Sequence, residues 1–209
     1  MPLGHAPKGG VREFRRHETH TNNQYAFYKG KEMTTTKYSV KASAILDELA
    51  ACGITDVVTV PDYVQASVHM ALEAGYLPGV KVVNSATEDE AVAIALGLWI
   101  GGRTPMLIMQ NQGVFACANA LRSVGMNART PIFMLVGQWG RELENLGKDP
   151  SLSKRRVVRG IEPLLTALEI PWYRLESPAD IGVIRQAFKQ AFGTETPAAV
   201  LVGAHTAYS

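Results

Sequence analysis

The stretch 84-NSATEDEAVAIALGLWIGG-102 sets three carboxylates, Glu88, Asp89 and Glu90, at the head of an alanine-rich apolar run. Carboxylates in that position can do two different things. They can satisfy the free N–H groups and the positive end of a helix; residues 85–88 and 87–90 both fit the capping-box pattern. Alternatively, one of them can be an acid/base group held in low-polarity surroundings. On this pattern alone the cap is the better reading of Glu88, and Asp89 and Glu90 read as a solvated first turn. A second cluster, 109-MQNQG-113, places the amides of Gln110, Asn111 and Gln112 ahead of Gly113. Side-chain amides both donate and accept, so they can orient a ring or a carboxylate, and glycine lets backbone approach closely. Taken by itself the cluster is a strand end followed by a glycine turn.

The elements that must carry these residues are legible from residue 38 onward, where helix-period segments alternate with short β-branched runs. Ser39 can cap a helix over 39–52, with Ala42, Ile45, Leu46 and Leu49 on one face and Gly53 at its end. Strands are predicted at 56–60, 80–84, 105–110, 131–137, 172–175 and 198–203. Helices are predicted around Val64 to Leu72, from the opening stretch, near 116–124, around Leu164, and over 178–192, with a polar, basic loop at about 138–159. Six strands with intervening helices predict an α/β fold, a doubly wound and mainly parallel sheet with helices on both faces. PIFMLV and AAVLV run apolar without alternation, as strands covered on both faces do. Sites in such sheets lie beyond the carboxyl ends of the strands. Residues 84–90 and 109–113 both stand there.

Composition narrows the function classes. The chain has 209 residues, 46% of them hydrophobic, which suits one domain with a sizeable core. A net charge of +2 argues against a nucleic-acid binder. The imbalance is local, with seven basic and three acidic residues in 1–37. Cys52 and Cys117 form no CxxC or Cys/His spacing, so neither a disulfide framework nor a zinc site is indicated. The spacing of His5, His17 and His20 fits no compact metal site. No apolar run has membrane-spanning length, and the N-terminus lacks the apolar segment of a secretory signal. A soluble, cytoplasmic protein is expected. Residues 1–36 are expected to be a partly disordered extension, with Tyr25, Phe27 and Tyr28 able to wrap a partner, and 37–209 the domain proper.

Several pieces occur together in one order: VPD (60–62), Glu88 with AVAIALG (91–97), Gly101 or Gly102 before Pro105, MQN (109–111) with Gly113, Asn119, and the apolar strand before GQWGRE (137–142). Together they resemble the alpha subunits of sulfopyruvate decarboxylase and the matching half of phosphonopyruvate decarboxylase. Glu88 and Gly97, nine residues apart, are more broadly similar to the pyrimidine-binding domain of thiamine-diphosphate-dependent enzymes. The likeness covers most of 38–142, with a weaker match at 162–172.

The resemblance implies that Glu88 hydrogen-bonds the pyrimidine nitrogen of thiamine diphosphate and relays a proton, while the cofactor carries the hard chemistry. It places Gln110, Asn111 and Gly113 at the cofactor, and Gln112 and Phe115 in the substrate pocket. Catalysis then becomes the better reading of Glu88. The relatives have Ser at the place of Gln112 and Gly at the place of Phe115, so the pocket is reshaped and neither phosphonopyruvate nor sulfopyruvate follows as substrate. The basic residues Lys148, Lys154, Arg155, Arg156 and Arg159 read as a solvated loop able to attract an anion. Asn119 reads as a packing or subunit-contact residue.

Enzymes of this class bind the diphosphate through Mg2+ on another domain carrying a GDG motif, which this chain lacks. The resemblance therefore implies a separate beta subunit with that motif, and no metal ligand on this chain. The active site would lie between the two chains, in a hetero-oligomer with at least two copies of each. Exposed apolar surface near Phe115, Met126 and Trp139 is a reasonable partner face. The activity implied is decarboxylation of a small 2-oxo acid to an aldehyde. Acyloin-forming carboligation is an alternative, as is a non-catalytic flavodoxin-like interaction module in which Glu88 is only a cap.

Overall fold

Segments in which every residue is apolar become the central strands, because both of their faces are covered. The computed structural model describes residues 36–208, and the expectations for the N-terminal extension and its three histidines fall outside them. The described residues belong to one compact unit, Met33–Ser209. Six parallel strands, β1 (Asp56–Thr59), β2 (Lys81–Asn84), β3 (Pro105–Gln110), β4 (Phe133–Gly137), β5 (Trp172–Leu175) and β6 (Ala198–Val202), pair in the order β2-β1-β3-β4-β6-β5. All the pairings are parallel. β4 and β6 are wholly buried, whereas β2, on an edge, leaves most of its residues exposed.

Alternate strand residues feed two cores. Val57, Met106, Ile108, Phe133, Leu135 and Val200 pack under α1 (Ala42–Ala51), α2 (Ala66–Glu73) and α7 (Val183–Thr194). Val58, Leu107, Met109, Met134, Val136 and Leu201 pack under α3 (Glu88–Ile100), α4 (Asn111–Ala116) and α6 (Arg156–Ala167). This alternation is the physical content of a doubly wound sheet.

Three local expectations are corrected. Ser39 does not cap α1: Lys41 is the N-cap with no side-chain bond, and the Ser39 hydroxyl instead accepts from Thr36 N at 2.9 Å. Helical backbone after β3 begins at Asn111, so MQNQG is the last turn of a strand and the first of α4. It continues through α5 (Ala118–Ala120) into a wider π-helical stretch, Leu121–Asn127. α6 begins at Arg156, inside the segment expected to be loop.

The chain leaves β1 outward to β2 and returns on the other side of β1 to β3. Strand order therefore reverses between β1 and β3. The crevice beyond their carboxyl ends is where such sheets bind ligands.

Candidate active site

The first turn of α3 separates its three acids. Thr87 is the N-cap, its hydroxyl accepting from Glu90 N at 3.4 Å. The Glu90 carboxylate reaches back to Ala86 N at 2.8 Å and to the Ser85 hydroxyl at 2.9 Å. Those two donors hold the Glu90 carboxyl below its ordinary range. The Asp89 carboxyl is held low too, first by the Thr87 hydroxyl. The capping role thus belongs to Thr87 and Glu90, not to a Ser85–Glu88 box.

Glu88, half-buried, lies over Gly113. A Cβ on Gly113 would stand 2.4 Å from Glu88 Cγ and 2.6 Å from its Oε1. Any side chain there would push the glutamate away. Among the described residues no group hydrogen-bonds or ion-pairs with the Glu88 carboxylate. Cys117, one turn beyond Gly113, is fully buried, and burial together with the Glu88 charge pushes its thiol up to about 12. It is an inert packing residue.

Two other glycines at strand ends have the same relation to charged groups. Asp62 lies over Gly137, where a Cβ would be 2.1 Å from Asp62 Oδ2. Arg141 and Glu176 lie over Gly203, where a Cβ would be 2.6 Å from Arg141 Nη1. In both sites the charged groups have partners among the described residues, while Gln65 Oε1 beside Asp62 and Gln138 Nε2 beside Arg141 are left unbonded. Asp62 accepts from Val64 N at 2.8 Å and Gln65 Nε2 at 2.7 Å. Arg141 pairs with Glu176 and donates to Gln138 Oε1 at 2.9 Å, Asn145 Oδ1 at 2.9 Å and Lys148 O at 2.8 Å. Burial drives the Asp62 carboxyl up to about 7 against those donors. Of the three charge-over-glycine arrangements, Glu88 alone keeps its full hydrogen-bonding capacity for a ligand.

The amides divide. Asn111 is buried, its Nδ2 donating to Trp139 O at 3.1 Å and its Oδ1 accepting from Gln112 N at 3.0 Å, so it braces the turn. Gln110 is half-buried at the end of β3 and makes no capping bond to α4. Gln112 and Phe115 face the other way. At about 100° per residue, Gly113 and Cys117 share the α3 side of α4, whereas Gln112 and Phe115 share the α6 side. They line a groove of ≈ 260 Å³ with Arg156 and Val157. Phe115 Cζ would stand 3.1 Å from a Cβ on Gly160. The structure therefore brings Glu88, Gly113 and the end of β3 together and sets Gln112 and Phe115 apart from that contact.

Among the residues of the expected partner face, Phe115 and Trp139 are 42% and 44% exposed, joined by Leu143 and Leu152. Met126 is partly buried and packs against the core. Lys148, Lys154, Arg155 and Arg156 form no ion pairs among the described residues, and Arg159 donates to Ser153 O at 2.7 Å. Asn119 is exposed and accepts from Arg122. Gly97 is exposed, with no heavy atom among the described residues within 4 Å of a Cβ placed there. Sequence reading noted VPD and GQWGRE as pieces of a pattern but missed Asp62, Arg141 and Glu176 as the groups that knit the strand ends. The available signal was glycine at the end of two apolar strands, at Gly137 and Gly203.

No group of three or more potential metal ligands occurs among the described residues. No helix among them is long and apolar enough to cross a membrane. No family model matches the chain. It is similar to the alpha subunit of sulfopyruvate decarboxylase from Methanococcus maripaludis, 26% identical over 118 residues, which cover 56% of this chain and 68% of that one. It is also similar to phosphonopyruvate decarboxylase from Streptomyces viridochromogenes, 29% identical over 103 residues, covering 49% of this chain and 25% of that one. These are the relatives to which the motifs pointed.

Among solved structures, benzoylformate decarboxylase from Polynucleobacter necessarius superposes with a TM-score of 0.54 at 21% identity, over 79% of this chain and 30% of that one. 2-Oxoglutarate:ferredoxin oxidoreductase from Magnetococcus marinus does so with a TM-score of 0.56 at 18% identity, over 80% and 29%. The two likenesses establish the fold, and the chain spans about three tenths of the length of either protein.

Proposed function

We propose that the chain is the pyrimidine-binding subunit of a two-chain, thiamine-diphosphate-dependent decarboxylase acting on a 2-oxo acid, with Glu88 as its catalytic residue. One observation carries the reading. Glu88 is held over a glycine at the reversal point of the strand order with its carboxylate unpartnered among the described residues, while neighbouring Glu90 takes over the cap.

The residues present suit the pyrimidine end of the cofactor. An unpartnered carboxyl group can accept from a ring N–H when ionised, or donate to a ring nitrogen when protonated. Gly113, lacking a side chain, lets the Glu88 carboxylate lie at the strand end, and the Gln110 amide at the rim can meet an exocyclic group. Bound thiamine diphosphate supplies the carbon nucleophile and the electron sink that let a 2-oxo acid lose carbon dioxide. Glu88 holds the proton exchanged with the ring nitrogen, and Gly113 fixes where that carboxylate lies. Asn111, tied to Trp139 O, keeps the floor still. Gln112 and Phe115, on the α6 side of α4, are assigned to the outer wall where substrate and partner meet.

The diphosphate and Mg2+ are assigned to a separate GDG-bearing beta subunit in a hetero-oligomer. The alpha-subunit naming of the sulfopyruvate decarboxylase relative supports a partner. Mixing the chain with that partner, thiamine diphosphate and Mg2+ and measuring carbon dioxide release from a panel of 2-oxo acids tests the reading. Release that depends on both chains is expected. A pair that fails to bind thiamine diphosphate contradicts it.

A further inference from the structure

The carboxyl ends of β1 and β4 are tied to each other across the end of β3, which lies between them. The tie is the Asp62 carboxylate, 1% exposed, which accepts from Val64 N and from Gln65 Nε2, and Gln65 Nε2 in turn reaches Leu135 O of β4 at 3.3 Å. Gly137 can be nothing larger, since a Cβ would meet Oδ2 at 2.1 Å. From that strand end the contacts run on toward the candidate site. Trp139 N donates to Gly137 O at 2.9 Å, and Trp139 O accepts from Asn111 Nδ2 at 3.1 Å. Asn111 Oδ1 holds Gln112 N at 3.0 Å, one residue before the glycine on which Glu88 rests.

We infer that Asp62 is a positioning residue for the site: its carboxylate fixes the end of β4, through which Trp139 holds Asn111 and sets the Gly113 floor beneath Glu88. The inference rests on the reading of Glu88 as the site's acid. The backbone of Asp62 is itself anchored, its N–H donating to the buried His69 Nε2 at 3.2 Å. Neither end of the tie can move without leaving a buried polar group unpaired, the costly outcome in a low-polarity interior.

Asp62→Asn is the sharpest probe. It turns one acceptor oxygen into a donor, and the Gln65 amide cannot reverse to meet it without giving up Leu135 O. Gly137→Ala pushes the same pair apart from the other side, and Asn111→Ala cuts the path downstream. These two carry the test if the first variant does not fold. Amide hydrogen exchange on the purified chain is expected to accelerate about tenfold or more at Gly137, Gln112 and Cys117, beyond the change in a core control, Ile184→Ala, of equal overall stability. Cys117 reports on the floor because its N–H donates to Gly113 O at 2.9 Å. The carbon resonance of the Glu88 carboxyl should move in the tie variants and stay put in the control. Combining Asp62→Asn with Asn111→Ala should accelerate Cys117 no more than the larger single effect.

Acceleration confined to Val64 and Gln65, or spread as in the control, overturns the inference. The readout needs no cofactor. A negative result therefore removes Asp62 and leaves Glu88, whereas a fully active Glu88→Gln enzyme removes Glu88 and leaves the geometry of the tie.

Discussion

Glu88 and Gly113 define each other, because the glutamate occupies the volume that a Gly113 side chain would need. Gly113→Ala should therefore cost about 1–3 kcal/mol of stability through overpacking and, in the assembled enzyme, remove activity by displacing the carboxylate. Denaturant midpoints and carbon dioxide release measure the two effects separately; an active, equally stable variant would show that the two do not share that space. Glu90→Gln should behave in the opposite way, leaving cofactor affinity unchanged while loosening the start of α3, because Glu90 serves Ala86 N and Ser85. Affinity titration beside helix melting distinguishes them. Glu88 was legible in the sequence from its place in the pattern, and the Thr87–Glu90 cap was one of two frames that the sequence allowed. Asp62 and Arg141 were not legible as site supports, since what each braces lies 75 and 35 residues away at Gly137 and Glu176. Nothing local records such distances.

The elements that hold the site depend on their first turns and on the loops beyond the strands. Thr87→Ala should cost about 1 kcal/mol, the usual loss of an N-cap, read from the unfolding midpoint. The loop from β1 into α2 has a pH signature that is hidden in the native protein. Burial raises the folded-state Asp62 carboxyl from 3.8 to about 7, so between those values the folded chain binds a proton that the unfolded chain lacks. Its contribution is full below 3.8 and is lost as pH rises to about 7. Burial lowers His69 from 6.5 to about 4, so its contribution runs the other way and grows as pH rises through that window. Each slope is about 1.4 kcal/mol per pH unit, and from about pH 4 to 6.5 they offset. Asp62→Asn should leave stability rising with pH there, and His69→Gln should leave it falling. Urea midpoints across pH check both; matching flat profiles in the two variants would contradict the opposed titrations. At this scale the sequence was a good guide where periodicity is strong. β3 and β5 match the predicted 105–110 and 172–175, while α4 and α6 start earlier than expected. The residues at which they start are polar or basic, QNQ and KRR, and carry no apolar stripe.

At the scale of the whole molecule, the doubly wound sheet was predictable because β4 and β6 run apolar without alternation and helices alternate with the strands. The exposure of its apolar side chains was not. Phe115, Trp139, Leu143 and Leu152 are exposed, whereas Met126, equally apolar, is partly buried against the core. Periodicity cannot distinguish a core residue from an interface residue, because both are apolar. The chain alone is expected to release no carbon dioxide from 2-oxo acids, and the chain with its diphosphate-binding partner to do so; turnover by the purified chain by itself would contradict a shared site. The most direct test is the exchange rate of the thiazolium proton of thiamine diphosphate bound to the assembled pair, native against Glu88→Gln. Retained cofactor with exchange slowed about a hundredfold or more is the expected result for a lost acid/base group. Retained cofactor with unchanged exchange would contradict the assignment of Glu88 to the cofactor.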